Sequence, residues 1–573
     1  MKTKFSGILT LLLALVVQIS FAQEKTISGT VTDDSGLPLP GVNIIVKSTT
    51  NGTQSDFDGN YSISTEVGQS LVYSYVGFDS QEKLVTASSG MMNVTMAQGE
   101  TLDAVVLTGY GGATKERKSL GYAVTTLQAD EIENKPESDV VRSLNGKVAG
   151  VQIVGNSGAT GSGTNFVIRG RSSINGSNQP LFIVDGVPFD SGTNQQTGFG
   201  GGNTVTSSRF LDLDPNNVES VQILKGLSAS VLYGQQGRNG VVLITTKNGS
   251  NKDLNKKFEV TVNSSVYQTE ISNLADYQNE YGQGADNTIN SGYVGNWGAR
   301  FDAGLEVSHP YASFGNLFPE YDGLKIPYVA APNNVKDFFR TGLGQSMSVN
   351  VAGSPGNDGN TRYNLNFGYT TEDGYIRNNG LTRYNIGLGG STKLSNKFSF
   401  NGTANFSSTR VNTPPIAANN AGGALSIFTR TLFMPRNLDL NNLPFESPND
   451  RSSIYYRPDQ ENPRWLSNYA GSEQKTNRFY GKLGASYEIS DNASISYRFG
   501  LDTYNETQEF KAARGSVTAP YTTGYLRTTN GTNFIFDHNL NFSFNNIELA
   551  DEFSLTTQLG FNARRDTYEQ FGQ

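Results

Sequence analysis

The sequence predicts a mainly β protein in which a small α/β domain precedes a long antiparallel series of strands. Its 573 residues include 64 glycines and 11% aromatic residues, a composition that suits many strands and tight turns better than helical bundles. Residues 151–249 alternate short apolar runs with glycine-dense turns. After residue 250, apolar and polar residues alternate over long stretches, which indicates strands with one apolar and one polar face.

The charged and metal-binding residues exclude several classes of function. The net charge is −8, so no basic footprint indicates a nucleic-acid partner. The chain has no cysteine and only two histidines, His309 and His538, which excludes disulfides, thiolate metal sites and a zinc hydrolase of the H-E-x-x-H kind. We expect a protein that is not an enzyme and that uses no metal or cofactor.

The first 22 residues have the features of a secretory signal. Lys2 and Lys4 give a positive start, residues 8–17 form an apolar run, and a small-x-small cleavage site ends at Ala22. We expect cleavage after Ala22. No later apolar run reaches the length of a transmembrane helix, and an exported chain without such helices is either soluble or a β-barrel.

Residues 24–98 predict a β-sandwich. Ile27 and Val31 lie on one face of a strand, and Asn51-Gly52 is a hairpin turn signal. The opening GTVTDDSGLPLPGVNIIV and the segment GTQSDFDGNYSI resemble the carboxypeptidase regulatory-like domain. The resemblance implies a transthyretin-like sandwich without peptidase activity.

Two acidic residues of this sandwich, Asp56 and Asp58, allow two interpretations. They could belong to a calcium site, but a full calcium loop needs further ligands and a closing glutamate. They could instead form a turn that is stabilised by its own side-chain hydrogen bonds.

Residues 113–250 predict a compact α/β domain that is too polar to lie in lipid. Short β-rich runs are separated by glycine turns, and one short helix lies between the last two runs. The strands are expected at 166–169, Leu181–Val184, Val218–Leu224 and 240–246, and the helix at Leu227–Tyr233.

Three arginines of this domain also have two interpretations. Arg169 and Arg171 flank a glycine after a strand, and Arg238 lies in a glycine turn. They could bind substrate. Alternatively, they could pair with carboxylates such as Asp185 or with acids of a surrounding wall, since the guanidinium group suits buried ion pairing.

Residues 255–573 predict part of a transmembrane β-barrel. About ten strands of about ten residues each are expected, the length that a tilted membrane strand requires. One face of each strand is apolar for lipid and the other is polar for a wet lumen, with Phe398 and Phe400 on the lipid side. Asp491-Asn492 and 545–551 are predicted as short periplasmic turns, and 413–473 as a long external loop.

The long loop carries candidate contacts for a substrate or a covering protein. A short helix is expected at 424–432, and Tyr455, Tyr456 and Trp465 follow it in the loop. These aromatic side chains could stack on sugar rings, or they could pack within the loop itself.

The order of the motifs resembles the SusC/RagA group of TonB-linked outer-membrane transporters. The motifs are LDAVVLTGYG, VRSLNGKVAGVQI, FVIRGRSS, PLFIVDGVP, VESVQILKG and VLYGQQGRNGVVLITTK. The resemblance implies that 113–250 is a plug inside a barrel of about 22 strands. Because strand edges cannot stay unpaired in lipid, the sequence is expected to be the front part of a longer protein.

Within this resemblance, residues 99–112 correspond to the segment that contacts TonB. The matched positions are Asp103, Ala104, Val105, Val106 and Leu107. Such a segment could pair with a sheet edge of another protein, where main-chain hydrogen bonds give affinity. It could also be a linker that adds an edge strand to a neighbouring domain.

The resemblance implies an importer of oligomeric nutrients of the glycan or peptide class. A SusD-like surface lipoprotein would capture the oligosaccharide or oligopeptide, and the TonB–ExbB–ExbD complex would supply energy. The protein would lie in the outer membrane of a Gram-negative bacterium, with its sandwich and TonB segment in the periplasm. Two other functions stay open: a receptor that signals rather than transports, and a surface adhesin.

Overall fold

The computed structural model describes residues 24–572 apart from short gaps. The gaps are 34–35, 48, 50, 76–77, 79, 98–104, 109–112, 117–123, 134, 136, 156, 175–176, 193–206, 250–256, 356–359, 395–396, 417–425, 520 and 551–552. The predicted signal at 1–22 lies outside the described residues. The chain divides into two compact units, of which the first holds the sandwich and the second holds everything after residue 120.

The first unit is a two-sheet sandwich. Its strands are β1 (Glu24–Asp33), β2 (Asn43–Val46), β3 (Gly52–Gln54), β4 (Asn60–Glu66), β5 (Ser70–Ser74), β6 (Gln81–Leu84) and β7 (Val94–Met96). One sheet has the order β4-β1-β7 and the other the order β3-β2-β5-β6. The predicted inward residues Ile27 and Val31 are fully buried, and they pack with Tyr61 and Tyr73 in one core.

The Asp56 segment is a hydrogen-bonded turn. The Asp56 carboxylate accepts the backbone N–H of Asp58 at 3.0 Å and that of Asn60 at 2.8 Å. Gly59 has a φ of +75°, which lets the chain reverse there at no steric cost. The turn interpretation is therefore confirmed.

Two short strands follow, β8 (Val105–Thr108) and β9 (Ala113–Glu116), which form a two-stranded sheet. Asp103 and Ala104 lie outside the described residues. So do the predicted domain boundaries at 98, 112 and 250, which stay predictions.

The central α/β domain, called the plug below, spans residues 124–249. Its elements are β10 (Val124–Gln128), α1 (Ala129–Ile132), β11 (Val151–Gly155), β12 (Thr164–Ile168), β13 (Leu181–Val184), β14 (Val187–Phe189), β15 (Val218–Leu224), α2 (Leu227–Tyr233) and β16 (Val241–Thr246). The main sheet has the order β10-β15-β16-β13-β14. Phe182 of β13 is fully buried in the plug core, and its ring centroid lies 5.7 Å from that of Phe166 and 4.4 Å from that of Phe210.

A nine-stranded antiparallel sheet, called the wall below, fills most of the remaining chain. Its strands in spatial order are β17 (Glu259–Thr269), β22 (Gly342–Gly353), β23 (Thr361–Asp373), β24 (Gly380–Lys393), β25 (Phe398–Thr413), β26 (Ala470–Ser490), β27 (Ala493–Ala512), β28 (Tyr525–Ala550) and β29 (Phe553–Gly572). Each strand pairs with the next one in this order. Paired strands are also consecutive in the chain, except that a long connection lies between β17 and β22.

The long connections at one end of the wall carry their own small elements. These are β18 (Gly284–Ala285), β19 (Thr288–Ile289), β20 (Asp302–Ser308), β21 (Lys325–Tyr328), α3 (Ile427–Leu432) and α4 (Pro463–Tyr469). In the described part of the chain, no helix is both long enough and apolar enough to cross a bilayer.

The wall strands differ from expectation in length. β17 and β22 contain 11 and 12 residues, close to the expected ten, but the expectation was wrong for β25–β29, which contain 16 to 26 residues. Strand pairing continues beyond the apolar segments, because the backbone of the polar residues there still forms the hydrogen bonds of the ladder. The two-residue turn at Asp491-Asn492 is confirmed, whereas the predicted turn at 545–551 was wrong, since β28 continues to Ala550.

The two faces of the wall have opposite character. Phe398, Phe400 and Phe406 on β25 remain 40–41% exposed, and they share one side of the strand. Thr403 and Asn405 on the other side are buried, and both contact the plug. The aromatic face therefore points away from the plug, as the alternation predicts for a lipid-facing surface.

Candidate functional site

The plug packs against the polar face of the wall, and their interface is the candidate functional site. On β26, the buried residues Gln474, Thr476, Arg478 and Tyr480 alternate with outward residues. On β27, Asp502, Tyr504 and Glu506 lie opposite them in register. Two-residue alternation thus presents one continuous polar row to the plug.

A buried ionic cluster joins the plug to β26 and β27. Arg478 on β26 donates to both carboxylate oxygens of Asp502, at 2.7 and 2.6 Å, and it lies 3.4 Å from Asp212 of the plug. Arg209 of the plug lies 2.7 Å from Glu506 of the wall. Plug and wall therefore each contribute an arginine and carboxylates to the same cluster.

Burial makes this cluster depend on complete pairing. The side chains of Arg209 and Arg478 are 2% and 0% exposed. A charge removed from water is tolerated only when partners and hydrogen bonds offset its lost hydration. Thr476 accepts a further hydrogen bond from Arg209 at 2.7 Å, and the backbone carbonyl of Asp190 accepts one from Arg478 at 3.0 Å.

Aromatic rings cover the cluster. The Arg478 guanidinium carbon lies 3.3 Å from the centre of the Phe189 ring, a stacked cation–π arrangement. Tyr504 donates its hydroxyl hydrogen to the Asp190 carboxylate at 2.6 Å. These contacts fix β14 of the plug and the residue after it against the wall.

A second part of the interface rests on amides and backbone carbonyls. Asn217 of the plug donates to Asn405 of β25 at 2.8 Å, and Asn366 of β23 donates to Asp214 of the plug at 3.0 Å. Arg383 of β24 donates to three plug carbonyls, those of Ser138, Leu211 and Leu213. The plug is thus held to consecutive strands from β23 to β27.

A cavity of about 740 Å³ adjoins the ionic cluster. Its lining includes Phe189, Asp190, Gln236, Tyr504, Arg564 and Tyr568. Because Asp190 and Tyr504 belong to both the cluster and the cavity, any rearrangement of the cluster changes the cavity lining.

The predicted aromatic contacts of the long loop are buried in the structure. Tyr455, Tyr456 and Trp465 are 3%, 9% and 0% exposed. The Tyr455 and Tyr456 rings pack 4.5 Å apart, and Trp465 donates its indole N–H to the Arg451 carbonyl at 2.8 Å. The structure therefore favours packing within the loop over direct contact with a substrate.

Burial also affects the acidity of these loop residues. It raises the pKa of Tyr455 well above its usual value and that of Tyr456 to about 12. Both phenols therefore stay neutral at physiological pH, as expected of groups that serve packing.

The predicted partner of the plug arginines was wrong. Asp185 does not pair with an arginine among the described residues. It accepts the backbone N–H and hydroxyl of Thr246, at 2.9 and 2.6 Å, and the hydroxyl of Thr403. Asp185 has a φ of +52°, and its turn directs the carboxylate toward β16 and the wall.

Sequence reasoning missed the residues that form the ionic cluster. The available signal was the placement of Arg478, Asp502 and Glu506 on the polar faces of two consecutive strands. Opposite charges there indicate cross-strand pairing. For the predicted TonB contact, Val105, Val106 and Leu107 fall in β8, which leaves the contact a prediction.

Two parts of the chain match known domain families. Residues 116–241 match the TonB-dependent receptor plug domain, and residues 27–107 match the CarboxypepD_reg-like domain. Together with these matches, the structure shows a TonB-dependent receptor plug domain packed on the polar face of a large antiparallel sheet. The predicted fold class is confirmed: a mainly β chain with a sandwich, an α/β plug and the first part of a large antiparallel barrel.

Sequence comparisons identify relatives of this chain. SusC and related TonB-dependent receptors are homologues of this chain, which confirms the resemblance to the SusC/RagA group. The chain is 37% identical over 249 residues to the TonB-dependent receptor SusC of Bacteroides thetaiotaomicron, covering 43% of this chain and 23% of SusC. It is 27% identical over 576 residues to TonB-dependent receptor P3 of Formosa agariphila, covering 96% of this chain and 50% of P3. The chain spans half or less of the length of these relatives.

Solved structures support the same fold. The RagAB peptide importer in its closed-closed state superposes with a TM-score of 0.63 at 19% identity, covering 79% of this chain and 48% of that chain. The open-open state gives a TM-score of 0.61 at 19% identity, covering 82% and 50%.

Proposed function

We propose that the protein is a TonB-dependent outer-membrane importer of oligomeric nutrients, of the glycan or peptide class. The observation that carries the proposal is a plug held on the polar face of a sheet whose opposite face is apolar. Such a plug closes a pore but rests on contacts that can be broken and re-formed. Homology to SusC and fold similarity to a structure described as a peptide importer support this function.

In this proposal, residues 103–107 transmit the energy for opening. TonB, driven by the ExbB–ExbD complex, pairs with the extended segment through main-chain hydrogen bonds and pulls on the plug. Release of the ionic cluster changes the adjoining cavity, and a path opens between the plug and the wall. No covalent chemistry is required.

On the external side, we propose that a SusD-like surface lipoprotein covers the loops and delivers the oligomer to them. We assign Tyr455, Tyr456 and Trp465 to holding the loop in shape, because their side chains are buried within it.

A proline substitution in the TonB segment tests the energised mechanism. Val105→Pro removes a backbone N–H and prevents strand pairing, so uptake of the nutrient should be lost while surface display and ligand binding persist. Val105→Ile keeps both the N–H and the β-propensity and should transport normally. Deletion of 102–107 should behave like the proline variant. Uptake that survives both the proline substitution and the deletion would refute the proposal.

A further inference from the structure

An exposed aromatic surface lies on the long connection between β17 and β22. Tyr293, Val294 and Trp297 are close in sequence, and their side chains are 46%, 38% and 65% exposed. The ring centroid of Tyr281 lies 5.8 Å from that of Trp297, with an angle of 47° between the two ring planes. Single exposed apolar residues are ordinary on a protein surface, whereas a contiguous group of large ones is typical of a binding site.

Backbone hydrogen bonds hold Trp297 in a fixed position. Its N–H donates to the Gly284 carbonyl at 3.1 Å, and its own carbonyl accepts the N–H of Asn287 at 3.1 Å. β18 and β19 form a hairpin whose turn residues, Asp286 and Asn287, have φ values of +52° and +56°, as a tight hairpin turn requires. An aromatic ring on such a paired scaffold has little conformational freedom to lose when a ligand binds.

Polar side chains with free hydrogen-bonding capacity adjoin the Trp297 ring. Asn287 lies beside Trp297 because of their backbone hydrogen bond, and Asp286 precedes it in the same turn. Both side chains are exposed, and neither makes a side-chain hydrogen bond or an ion pair with another described residue. A carboxylate accepts hydrogen bonds and a carboxamide both donates and accepts them, so the two groups can pair with hydroxyl groups.

An aromatic face with such neighbours fits a sugar ring. A pyranose presents C–H groups on its face, which the electron-rich face of an indole ring attracts, and hydroxyl groups around its rim. A peptide fits less well, because the backbone groups of this segment already bond to each other and leave no strand edge beside Trp297 for main-chain pairing. A polyanionic glycan also fits less well, since no cation among the described residues lies within 4.0 Å of the Asp286 carboxylate.

We propose that Trp297 and Tyr281 form a binding site for a neutral oligosaccharide, and that Asp286 and Asn287 pair with its hydroxyl groups. The site takes over the stacking role that the sequence suggested for aromatic residues of the loop 413–473, which are buried. It favours a glycan over a peptide as the imported oligomer, and this link to nutrient capture rests on the proposed function.

Binding can be measured on the intact protein in detergent by isothermal titration calorimetry. The neutral probes are maltohexaose, cellohexaose, xylohexaose and mannohexaose, and the comparison probes are anionic hexagalacturonate and a tryptic digest of casein. At least one neutral hexaose should bind, and it should protect Trp297 from quenching by acrylamide. The difference in fluorescence between the wild type and Trp297→Phe isolates the Trp297 signal, because every other tryptophan is present in both proteins.

Substitutions separate the ring from the polar groups. Trp297→Ala should weaken hexaose binding about 30-fold, the loss expected when an aromatic anchor is truncated. Trp297→Phe keeps an aromatic face and should stay within about fivefold of the wild type. Asn287→Gly removes the carboxamide but tolerates the positive φ, and it should weaken binding about fivefold, as expected for one lost hydrogen bond.

A matched variant controls for the removal of an exposed ring. Phe433 is also 65% exposed, and no other aromatic ring packs against it among the described residues. Phe433→Ala should therefore leave hexaose binding unchanged. Unchanged amide exchange in the wall strands would show that all four variants are folded.

Three results would overturn the proposal. The first is that no neutral hexaose binds. The second is that hexagalacturonate or the casein digest binds as tightly as the best neutral hexaose. The third is unchanged hexaose binding in Trp297→Ala, including the case in which that variant loses a co-purified lipoprotein instead. None of these measurements requires uptake, so this site and the importer proposal can fail independently of each other.

Discussion

Replacing Arg478 by methionine tests whether the ionic cluster holds the plug against the wall. Methionine keeps much of the apolar length of the side chain but removes its charge. The carboxylate of Asp502, 1% exposed, then loses its cationic partner, and Asp212, also 1% exposed, keeps only Arg209 at 3.7 Å. Breaking one partner out of a buried ion pair costs about 3–5 kcal/mol.

This free-energy cost lowers the stability of the seated plug and so increases the fraction of molecules in which the plug is open. Each 1.4 kcal/mol is a factor of ten in an equilibrium constant, so 3–5 kcal/mol raises the open fraction by about two to three and a half orders of magnitude. Hydrogen exchange of the β16 amides, at the centre of the plug sheet, should accelerate by that factor in detergent-purified protein.

A double variant separates charge from packing. Arg478→Met combined with Asp502→Leu also removes the carboxylate that accepts two hydrogen bonds from Arg478. Replacing both members of a buried ion pair by apolar residues is often close to neutral. Most of the lost protection should therefore return. Lys393→Met is the control, because its 4.0 Å pair with Glu488 is exposed, at 46% and 53%, and is expected to contribute less than about 1 kcal/mol.

Two outcomes would refute this reasoning. Unchanged β16 exchange in Arg478→Met would show that the cluster does not stabilise the seated plug. Faster exchange in the double variant than in the single variant would show that lost packing, rather than an unpaired charge, is responsible.

Two further predictions concern the external loops. Trp465→Ala should destabilise the loop by about 3–5 kcal/mol, as expected when a buried tryptophan is truncated. Amide exchange should then become faster across residues 451–469 but not in the wall. If Trp465 instead contacted the substrate directly, the substitution would weaken substrate binding and leave amide protection of the loop intact. Burial lowers the pKa of His309 below its usual value, so the unfolded loop takes up a proton first as the pH falls. Loop protection should be complete above about pH 6.5 and should decrease below it, because the His309 ring accepts the backbone N–H of Tyr311 at 3.1 Å. His309→Phe should abolish this pH dependence, and a persistent dependence would show that another group titrates.

Local patterns predicted the plug well. The strands Leu181–Val184 and Val218–Leu224 and the helix Leu227–Tyr233 have the predicted bounds. Leu181–Val184 is a continuous apolar run and Val218–Leu224 is rich in β-branched and other apolar residues. Both are bounded by glycine, proline or polar turns, so each is specified by its own residues. The outward direction of Phe398 and Phe400 followed equally from alternation.

Contacts across the chain were not predictable in the same way. Arg478 and Asp212 are separated by 266 positions, and their meeting depends on how the plug docks on a wall of fixed register. Asp185 was expected to pair with an arginine, yet a turn of positive φ directs it to two threonines. The loop aromatics were predicted as candidate contacts because burial inside a long loop has no periodic pattern in the sequence.

The length of the wall strands has a consequence for where the protein meets its surroundings. The apolar surface of β26 extends only as far as Phe479, yet the strand begins at Ala470. In the proposed importer, with its long loops outside, β26 would therefore rise roughly 20 Å above the acyl chains. An incoming oligomer would then be enclosed by protein well before it reaches the depth of the lipid.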